Sequence, residues 1–189
     1  MRCPPVKHDP TRRAGHHFAP GPDHFPREDV TGLVQQAKCT DKTRMSNRWH
    51  NHLNALRDGT LPLPPSAENL KLGRLDAWEP GRIEKTWVFQ EDFRNRRGAL
   101  FGGYLASLAD QAAALAAFSV LEDSESFTTA DLQISFFRPA LDGPLKIVAM
   151  VVNRSRSLLH VEVEISGPDG RLVAKSRVVQ AVRPYVADG

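Results

Sequence analysis

The most constraining stretch of the sequence runs from Asn95 to Phe118 and reads NRRGALFGGYLASLADQAAALAAF. After its glycine pair, apolar residues occupy nearly every face of a predicted helix, and such a helix is expected in a buried position. Asp110 is the one acid in this stretch. An ionised carboxylate is costly to bury unless it is paired or its pKa is shifted. Asp110 is therefore the first candidate for a functional residue.

The glycine pair, Gly102 and Gly103, stands where this helix is predicted to begin. The first N–H groups of a helix have no partner within the helix, so they can bind a carbonyl oxygen or an anion in front of it. An acyl carbonyl that gains negative charge during hydrolysis is such a group. Together, the glycine pair, the buried helix and the acid predict a site for the hydrolysis of an acyl thioester.

The charge distribution argues against a nucleic-acid-binding protein. The chain of 189 residues has a formal net charge of +3, but residues 1–45 hold 8 Lys/Arg against 5 Asp/Glu, whereas residues 46–189 hold 17 of each. The basic excess is thus local, which removes the main support for nucleic-acid binding. Only two cysteines occur, Cys3 and Cys39, without the spacing of a metal site or a disulfide framework. Neither a membrane-spanning run nor a signal peptide is visible, so we expect a cytoplasmic protein that needs no metal.

The chain divides into three predicted parts. Residues 1–45 carry six of the fourteen prolines and show no sustained hydrophobic period, which predicts a disordered extension; Met45 at its end is a candidate translation start. Residues 46–70 are expected to form a short helix over Ser46–Arg57, with Ser46 as N-cap, and a Pro-rich connector. Residues 71–185 form the main domain.

The main domain is predicted to consist of strands on either side of the central helix. Strands over 71–79 and 82–90 flank the turn Glu79-Pro80-Gly81, and four more are expected at 127–138, 144–153, 157–166 and 171–182. Alternation of polar and apolar residues predicts one wet and one dry sheet face. Because no nucleotide-binding glycine motif or βα repeat occurs, the pattern favours an α+β fold in which a curved antiparallel sheet wraps around one long helix.

Three local motifs carry a resemblance to a known family. They are, in order, NxxGxxFGG at 95–103 with Asp110 on the following helix, TADL at 129–132 with FFRPA at 136–140, and GRLVA at 170–174. Over residues 70–183 the chain resembles the hotdog-fold acyl-CoA thioesterases, specifically their phenylacetyl-CoA thioesterase-like branch. One position departs from the family pattern, because Phe101 stands where the family has a histidine before the two glycines.

The resemblance implies roles for individual residues in hydrolysis of an acyl-CoA. Asp110 would act as general base on water or as nucleophile, the Gly102 N–H would polarise the thioester carbonyl, and Asn95 and Thr129 would orient water or the carbonyl. The resemblance places Arg154, Ser155, Arg156 and Ser157 near the pantetheine and phosphates of CoA. Gly103 is expected at the substrate as part of the glycine pair, and Phe101 could either line an acyl pocket or pack under the loop. CoA enters as part of the substrate, and no cofactor is expected.

The spacing within the helix predicts a second copy of the chain. Gly103 and Asp110 are seven residues apart, which is roughly 10 Å along the axis at 1.5 Å per residue. One carbonyl cannot contact both, so an antiparallel helix from a partner subunit would complete the site. We therefore expect a homodimer or a dimer-of-dimers tetramer.

Three alternatives remain open from the sequence. Asp110 could merely pair with an arginine or accept local hydrogen bonds. Phe101 in place of histidine is compatible with a non-catalytic acyl-CoA-binding or regulatory hotdog domain. A hotdog dehydratase would need a catalytic histidine, for which only His160 lies in the sheet region.

Overall fold

The computed structural model describes residues 47–186, and the predicted disordered extension lies outside these residues. In chain order the elements are α1 (Arg48–Arg57), α2 (Pro65–Asn69), β1 (Ala77–Glu79), β2 (Arg82–Trp87), a 3-10 turn (Glu91–Phe93), α3 (Gly102–Phe118), β3 (Glu125–Phe136), β4 (Leu145–Arg154), β5 (Leu158–Ser166) and β6 (Leu172–Pro184). Within the described residues, no helix has the length and apolar character needed to cross a bilayer.

The six strands form one antiparallel sheet in the order β1-β2-β4-β5-β6-β3. The predicted hairpin at the start is confirmed, because Glu79 pairs with Arg82 across the turn. Alternation is clearest in β5, where Val161, Val163 and Ile165 are buried and the residues between them are not. Side chains in a strand alternate between the two faces, so one face of the sheet is dry and the other wet, as predicted.

Helix α3 lies against the dry face and contacts β2 to β6. Its alanines and leucines favour a helix, and those that face the sheet, among them Leu108, Ala109 and Ala112, have no exposed surface. Alanine side chains let the helix approach the sheet closely, where strand residues such as Ile147 and Val163 complete the core. The predicted α+β fold, a long central helix on an antiparallel sheet, is confirmed.

The first predicted strand, 71–79, is wrong over most of its length, because β1 begins only at Ala77. Lys71 and Gly73 have φ values of +50° and +77°, which belong to the left-handed region and interrupt an extended strand. Residues 70–75 instead form an irregular segment, here named the strap, that crosses α3. The second strand ends at Trp87 rather than residue 90, because the chain turns into the 3-10 segment at Glu91.

The structure also corrects the predicted helix before the strap and adds a second one. Helix α1 begins at Arg48, and its N-cap is Asn47, whose side chain accepts a hydrogen bond from His50 N, rather than Ser46. The Pro-rich connector leads into α2, a short helix that the sequence reading did not predict. Proline at its first position, Pro65, suits a helix start because the missing N–H would have no helical partner.

Candidate active site

Asp110 lies near the middle of α3 and is half-buried rather than fully buried as expected. Thr129 Oγ1 on β3 donates a hydrogen bond of 3.0 Å to Asp110 Oδ1. Among residues 47–186 no cation forms an ion pair with Asp110. The interpretation that Asp110 serves an arginine salt bridge is therefore wrong for the described chain, whereas a local hydrogen bond is present. The Thr129 hydroxyl holds the carboxylate in one orientation.

A β-bulge positions Thr129 toward Asp110. In the β3–β6 register Thr129 pairs with Gln180 and Asp131 with Val179, so Ala130 is the extra residue. Bulges bend a strand and re-aim neighbouring side chains, and they are frequent beside active sites. Gln180 is fully buried, and neither polar atom of its side chain has a hydrogen-bond partner among the described residues. Sequence reasoning missed Gln180, although a glutamine in the apolar run VVQAV at 178–182 was a visible signal.

The N-terminus of α3 carries the glycine pair between two aromatic rings. Phe101 is the N-cap residue and makes no side-chain cap. A Cβ at Gly103 would lie 2.5 Å from Phe101 Cε1, and one at Gly102 would lie 3.3 Å from Cζ of Phe136. The ring of Phe101, which is 60% exposed, thus lies over the first turn. None of the hydrogen bonds recorded within residues 47–186 uses the N–H of either glycine, so both donors are available.

Asn95 organises the loop that enters α3. Its Oδ1 accepts hydrogen bonds from Arg97 N at 2.8 Å and Ala99 N at 3.3 Å. Asn95 and Gly102 line the same open cleft, which has a volume of about 520 Å³. The predicted role of Asn95 at the carbonyl stays a prediction, but the structure does place Asn95 and Gly102 in the wall of the same cleft.

The predicted catalytic residues thus fall into two groups within one chain. Asn95 and Gly102 lie at the start of α3, whereas Asp110 and Thr129 lie near its middle. Gly102 and Asp110 differ by eight residues, which is about 12 Å along the helix at 1.5 Å per residue. A single thioester carbonyl cannot contact both groups on one copy of the helix.

The predicted CoA-binding segment 154–157 forms a turn beyond the C-terminal end of α3. Arg154 Nη1 donates to the Val120 carbonyl at 2.8 Å, and its Nη2 forms an ion pair with Glu125. Ser155 Oγ accepts a hydrogen bond from Leu158 N at 3.0 Å, and the Ser157 carbonyl accepts one from Val182 N. Arg154 thus stabilises the turn. Arg156 is exposed, and its predicted contact with the phosphates of CoA stays a prediction.

A cavity of about 310 Å³ opens beside Asp110, between α3 and the segment that precedes β1. Two histidines of α1, His50 and His52, are half-buried. A ring nitrogen of His50 hydrogen-bonds with the Ser119 carbonyl at 3.1 Å, and His52 lines the cavity wall. Their roles are in packing α1 against α3.

A lysine that the sequence reading did not single out lies behind the Asp110 region. Lys85 is 1% exposed and its Nζ donates to the Leu72 carbonyl at 2.6 Å and to Gln111 Oε1 at 2.5 Å. Burial lowers the pKa of Lys85 to about 7, although the charge of Asp76 acts in the opposite direction. Lys85 therefore links β2, the strap and the residue that follows Asp110.

The lowered pKa of Lys85 predicts a pH-dependent stability. The unfolded chain keeps this lysine protonated up to about its usual pKa of 10.4, whereas the folded chain releases the proton near pH 7. The unfolded state binds more protons between these values, so the free energy of unfolding rises with pH across that window. Urea unfolding at pH 6.5 and 9.5 is expected to show a rise of roughly 2–3 kcal/mol from this group.

Lys85→Met is expected to remove this rise, because it keeps the chain length and has no titratable group. Lys146→Met is the matched control, since Lys146 is exposed and forms an ion pair with Glu84 on the surface, and its profile should keep the rise. If the free energy of unfolding changes with pH in the same way in the wild type and in Lys85→Met, Lys85 is not the group that causes the rise.

Within the described part of the chain, no group of three or more His, Cys, Asp or Glu side chains is placed to hold a metal ion.

Comparison with known proteins gives consistent matches to one superfamily. The sequence model of the thioesterase superfamily matches residues 97–174, which include Gly102, Asp110 and Thr129. A protein of Saccharolobus solfataricus, provisionally named an esterase, is 35% identical over 98 residues, which cover 52% of this chain and 69% of that protein.

Solved structures agree with this match. A Ralstonia eutropha JMP134 structure, provisionally titled a thioesterase and a phenylacetic acid degradation-related protein, is 32% identical with a TM-score of 0.63, covering 69% of this chain and 99% of that one. A Haemophilus influenzae thioesterase is 22% identical with a TM-score of 0.62, covering 70% of this chain and 90% of that one. At 22% identity, the likeness to the Haemophilus influenzae protein supports the fold alone.

Proposed function

Since the chain belongs to the thioesterase superfamily, we propose that it is an acyl-CoA thioesterase, which hydrolyses an acyl or aroyl thioester to free CoA and a carboxylic acid. One observation carries the proposal. The Asp110 carboxylate is oriented by Thr129 Oγ1 at 3.0 Å, has no cation partner among the described residues, and borders an apolar cavity. A carboxylate in this setting is free to accept a proton from water or to attack a carbonyl.

The residues supply a balanced hydrolysis. Asp110 Oδ2, which has no hydrogen-bond partner recorded within residues 47–186, accepts a proton from water while the water oxygen attacks the thioester carbon. The N–H of Gly102 stabilises the resulting oxyanion. The carbon–sulfur bond then breaks, and the CoA sulfur leaves with the bonding electrons and takes up the proton. In the nucleophilic variant an Asp110 carboxylate oxygen attacks the thioester carbon, and the carbon–sulfur bond breaks as the CoA thiolate leaves with the bonding electrons. Water then hydrolyses the mixed anhydride, which regenerates the Asp110 carboxylate and releases the proton that the thiolate takes up.

The proposed reaction needs a homodimer, because one chain keeps its donor and its carboxylate about 12 Å apart. An antiparallel α3 from a second copy would bring the partner's Gly102 N–H to Asp110. Two observations support this arrangement. Gly103, Ala106 and Asp110 of α3 are exposed or half-buried in the single chain. Strand β3 ends the sheet with an edge that is unpaired among the described strands, and such an edge is a template for pairing with another chain.

The proposed substrate is the CoA thioester of an apolar acid. The Ralstonia protein, titled as related to phenylacetic acid degradation, and the motif at 95–103 support membership of the phenylacetyl-CoA thioesterase-like branch. Arg156 and its neighbours at 154–157 are proposed to face the CoA phosphates, since guanidinium groups suit phosphate recognition.

A second candidate function is a non-catalytic acyl-CoA-binding protein. Phe101 favours it, because this ring covers the glycine turn where the resembled family has an imidazole. Such a protein would keep the cavity and the Gly102 N–H but would bind the thioester without hydrolysing it.

Thiol release tests the two candidates directly. Purified protein is incubated with acetyl-, hexanoyl-, octanoyl-, phenylacetyl- and benzoyl-CoA in the presence of a thiol reagent, and binding of the same compounds is measured by calorimetry. We expect thiol release well above the buffer rate for the apolar acyl groups. Tight binding without release would support the binding protein instead, and neither release nor binding would exclude both candidates.

A further inference from the structure

The side chain of Gln180 faces the central helix from β6. Along this strand every second residue from Ala174 to Val182 is buried, and side chains in a strand alternate between the two faces of the sheet. Gln180 belongs to this buried set and has no exposed surface. It is enclosed within a single chain, so neither a substrate nor a second subunit can touch it.

Both polar atoms of the Gln180 side chain need a hydrogen-bond partner. Neither Oε1 nor Nε2 has one among residues 47–186. A buried amide without partners is costly, and in folded proteins such groups are almost always satisfied by the protein or by an internal water. Because Gln180 cannot be reached from outside, its partner must lie within the chain.

Thr129 is the polar neighbour of Gln180 on this face of the sheet. The two residues are paired across β3 and β6, which places their Cβ atoms roughly 4.5–5.5 Å apart. On its other side Gln180 is paired with Leu159 of β5. The remaining strand neighbours on this face are apolar, namely Val178 and Val182 on β6 and their partners Leu132, Val161 and Phe127.

Helix α3 presents apolar side chains to this face of the sheet. Its residues without exposed surface are all alanine or leucine, namely Leu108, Ala109, Ala112, Ala113, Ala116 and Ala117. The acid of the helix, Asp110, accepts the hydrogen bond from Thr129 Oγ1. Gln180, Thr129 and Asp110 therefore form a polar row that leads from β6 through β3 to α3.

The Thr129 hydroxyl can take part in a second hydrogen bond. A threonine hydroxyl has one proton to donate and two lone pairs with which to accept. Its proton is directed to Asp110 Oδ1 at 3.0 Å, and within residues 47–186 no recorded hydrogen bond is accepted by Oγ1. A donor to Oγ1 would fix the direction of the hydroxyl and strengthen the bond to Asp110, because hydrogen bonds in a chain polarise one another.

We propose that Gln180 is a positioning residue of the active site, which holds the Thr129 hydroxyl toward Asp110 through one internal water bound between the Gln180 amide and Thr129 Oγ1. The inference rests on the proposed thioesterase function and deepens it by adding a residue that supports the carboxylate without touching the substrate. Water suits either end of the amide, since it can accept from Nε2 or donate to Oε1 and still donate to Thr129 Oγ1. Internal waters typically bridge buried polar groups in this way.

Gln180→Met tests the role of this residue in hydrolysis, because methionine is close to glutamine in size but has no amide. It is expected to lower kcat about fivefold, since the hydroxyl keeps its proton but loses the bond that fixes its direction. KM should stay unchanged because Gln180 touches no substrate, and the melting temperature should change little. Gln133→Met is the matched control, because Gln133 is exposed on β3, and its kcat should equal that of the wild type.

A double-mutant cycle shows whether Gln180 acts through Thr129. The hydroxyl is absent in Thr129→Val, so the addition of Gln180→Met to that variant is expected to change kcat by less than about twofold. An equal loss of kcat in both backgrounds, or an unchanged kcat for Gln180→Met alone, would overturn the positioning role.

NMR of the side-chain amides tests the water bridge independently of hydrolysis and with Gln180 in place. The amide signals of Gln180, identified by their absence in Gln180→Met, are expected to show a cross-peak to a long-lived water in the wild type. Thr129→Val should abolish this cross-peak, because the water loses one of its polar partners. The exposed amide of Gln133 is the control, and its signals should be the same in both proteins.

The outcomes separate this inference from the hydrolysis proposal. A water cross-peak that is present in the wild type and lost in Thr129→Val supports the bridge, even if the wild type releases no thiol and the hydrolysis proposal fails. A cross-peak that is missing from the wild type, or that survives in Thr129→Val, overturns the bridge even if thiol release is robust.

Discussion

Asp110→Asn is expected to lower kcat for thioester hydrolysis by two to four orders of magnitude, about the range that a positioned acid or base contributes. The amide is nearly the same size as the carboxylate, and its oxygen can still accept the hydrogen bond from Thr129 Oγ1. It cannot, however, take a proton from water or act as a nucleophile. Steady-state thiol release with the best acyl-CoA measures the loss, and the melting temperature should change little because Asp110 has no ion pair within the described chain.

Two further variants make this result specific. Asp131→Asn is the matched control and should retain full activity. Asp131 is exposed on the same strand as Thr129, and within residues 47–186 its one side-chain hydrogen bond is accepted from Gln133. Thr129→Val should lower kcat about tenfold, because it keeps the shape of the side chain but leaves the Asp110 carboxylate without its orienting donor. If Asp110→Asn keeps its rate within twofold of the wild type, Asp110 is not the catalytic carboxylate.

Gly102→Pro is expected to reduce kcat on the order of a hundredfold or more, because it removes the N–H proposed to stabilise the oxyanion. The backbone at this position suits proline, and the new Cβ would lie 3.3 Å from Cζ of Phe136, as that of an alanine would. Gly102 is the first residue of α3, where proline is favoured, and Phe101 before it is already extended with φ −62° and ψ 130°, as a residue before proline must be. Gly102→Ala is the control, since it adds the same Cβ near Phe136 but keeps the N–H, and it should retain most of the activity.

Mixing the two inactive variants tests whether the site is shared between subunits. In a mixed dimer of Asp110→Asn and Gly102→Pro, one site combines an intact carboxylate with an intact partner N–H, and the other site has lost both. When the subunits exchange at random after mild denaturation and refolding, about half of the dimers are mixed. Because each mixed dimer has one intact site of two, about a quarter of the wild-type rate should return. Activity that stays at the level of the separate variants would show that both groups act within one chain, and the proposed antiparallel arrangement would then be wrong.

Prediction from sequence succeeded where the signal is local. The apolar helix around Asp110, the glycine opening and the hairpin at Glu79–Arg82 were all placed correctly, because helical periodicity, strand alternation and turn residues depend on a few neighbouring positions. Prediction failed at the strap. Leu70 to Gly73 alternate in a way that resembles a strand, but their carbonyls bind side chains of Tyr104, Trp87 and Lys85, which lie far away in the sequence.

In the candidate site, too, the features that depend on local sequence could be predicted and those that depend on packing could not. Asp110 and Gly102 could be chosen from the sequence because an acid in an apolar helix and a glycine pair at its start are unusual on physical grounds. The sequence could not show that Asp110 would be half-buried, because burial depends on which face of α3 the sheet covers. Gln180 and Lys85 were missed for a similar reason, since a polar residue in a strand looks exposed until the sheet is folded against its helix.

The sequence by itself thus determined the order of the strands around the central helix, that helix and the two chemical groups it carries, since these follow from short-range periodicity and residue type. Only the tertiary structure decided that Thr129 would meet Asp110, because that contact depends on a one-residue bulge in the β3–β6 register. It also decided that the residues before β1 would enclose a cavity beside the carboxylate. Both features join segments distant in the chain, and their geometry is set by packing and register rather than by local preference.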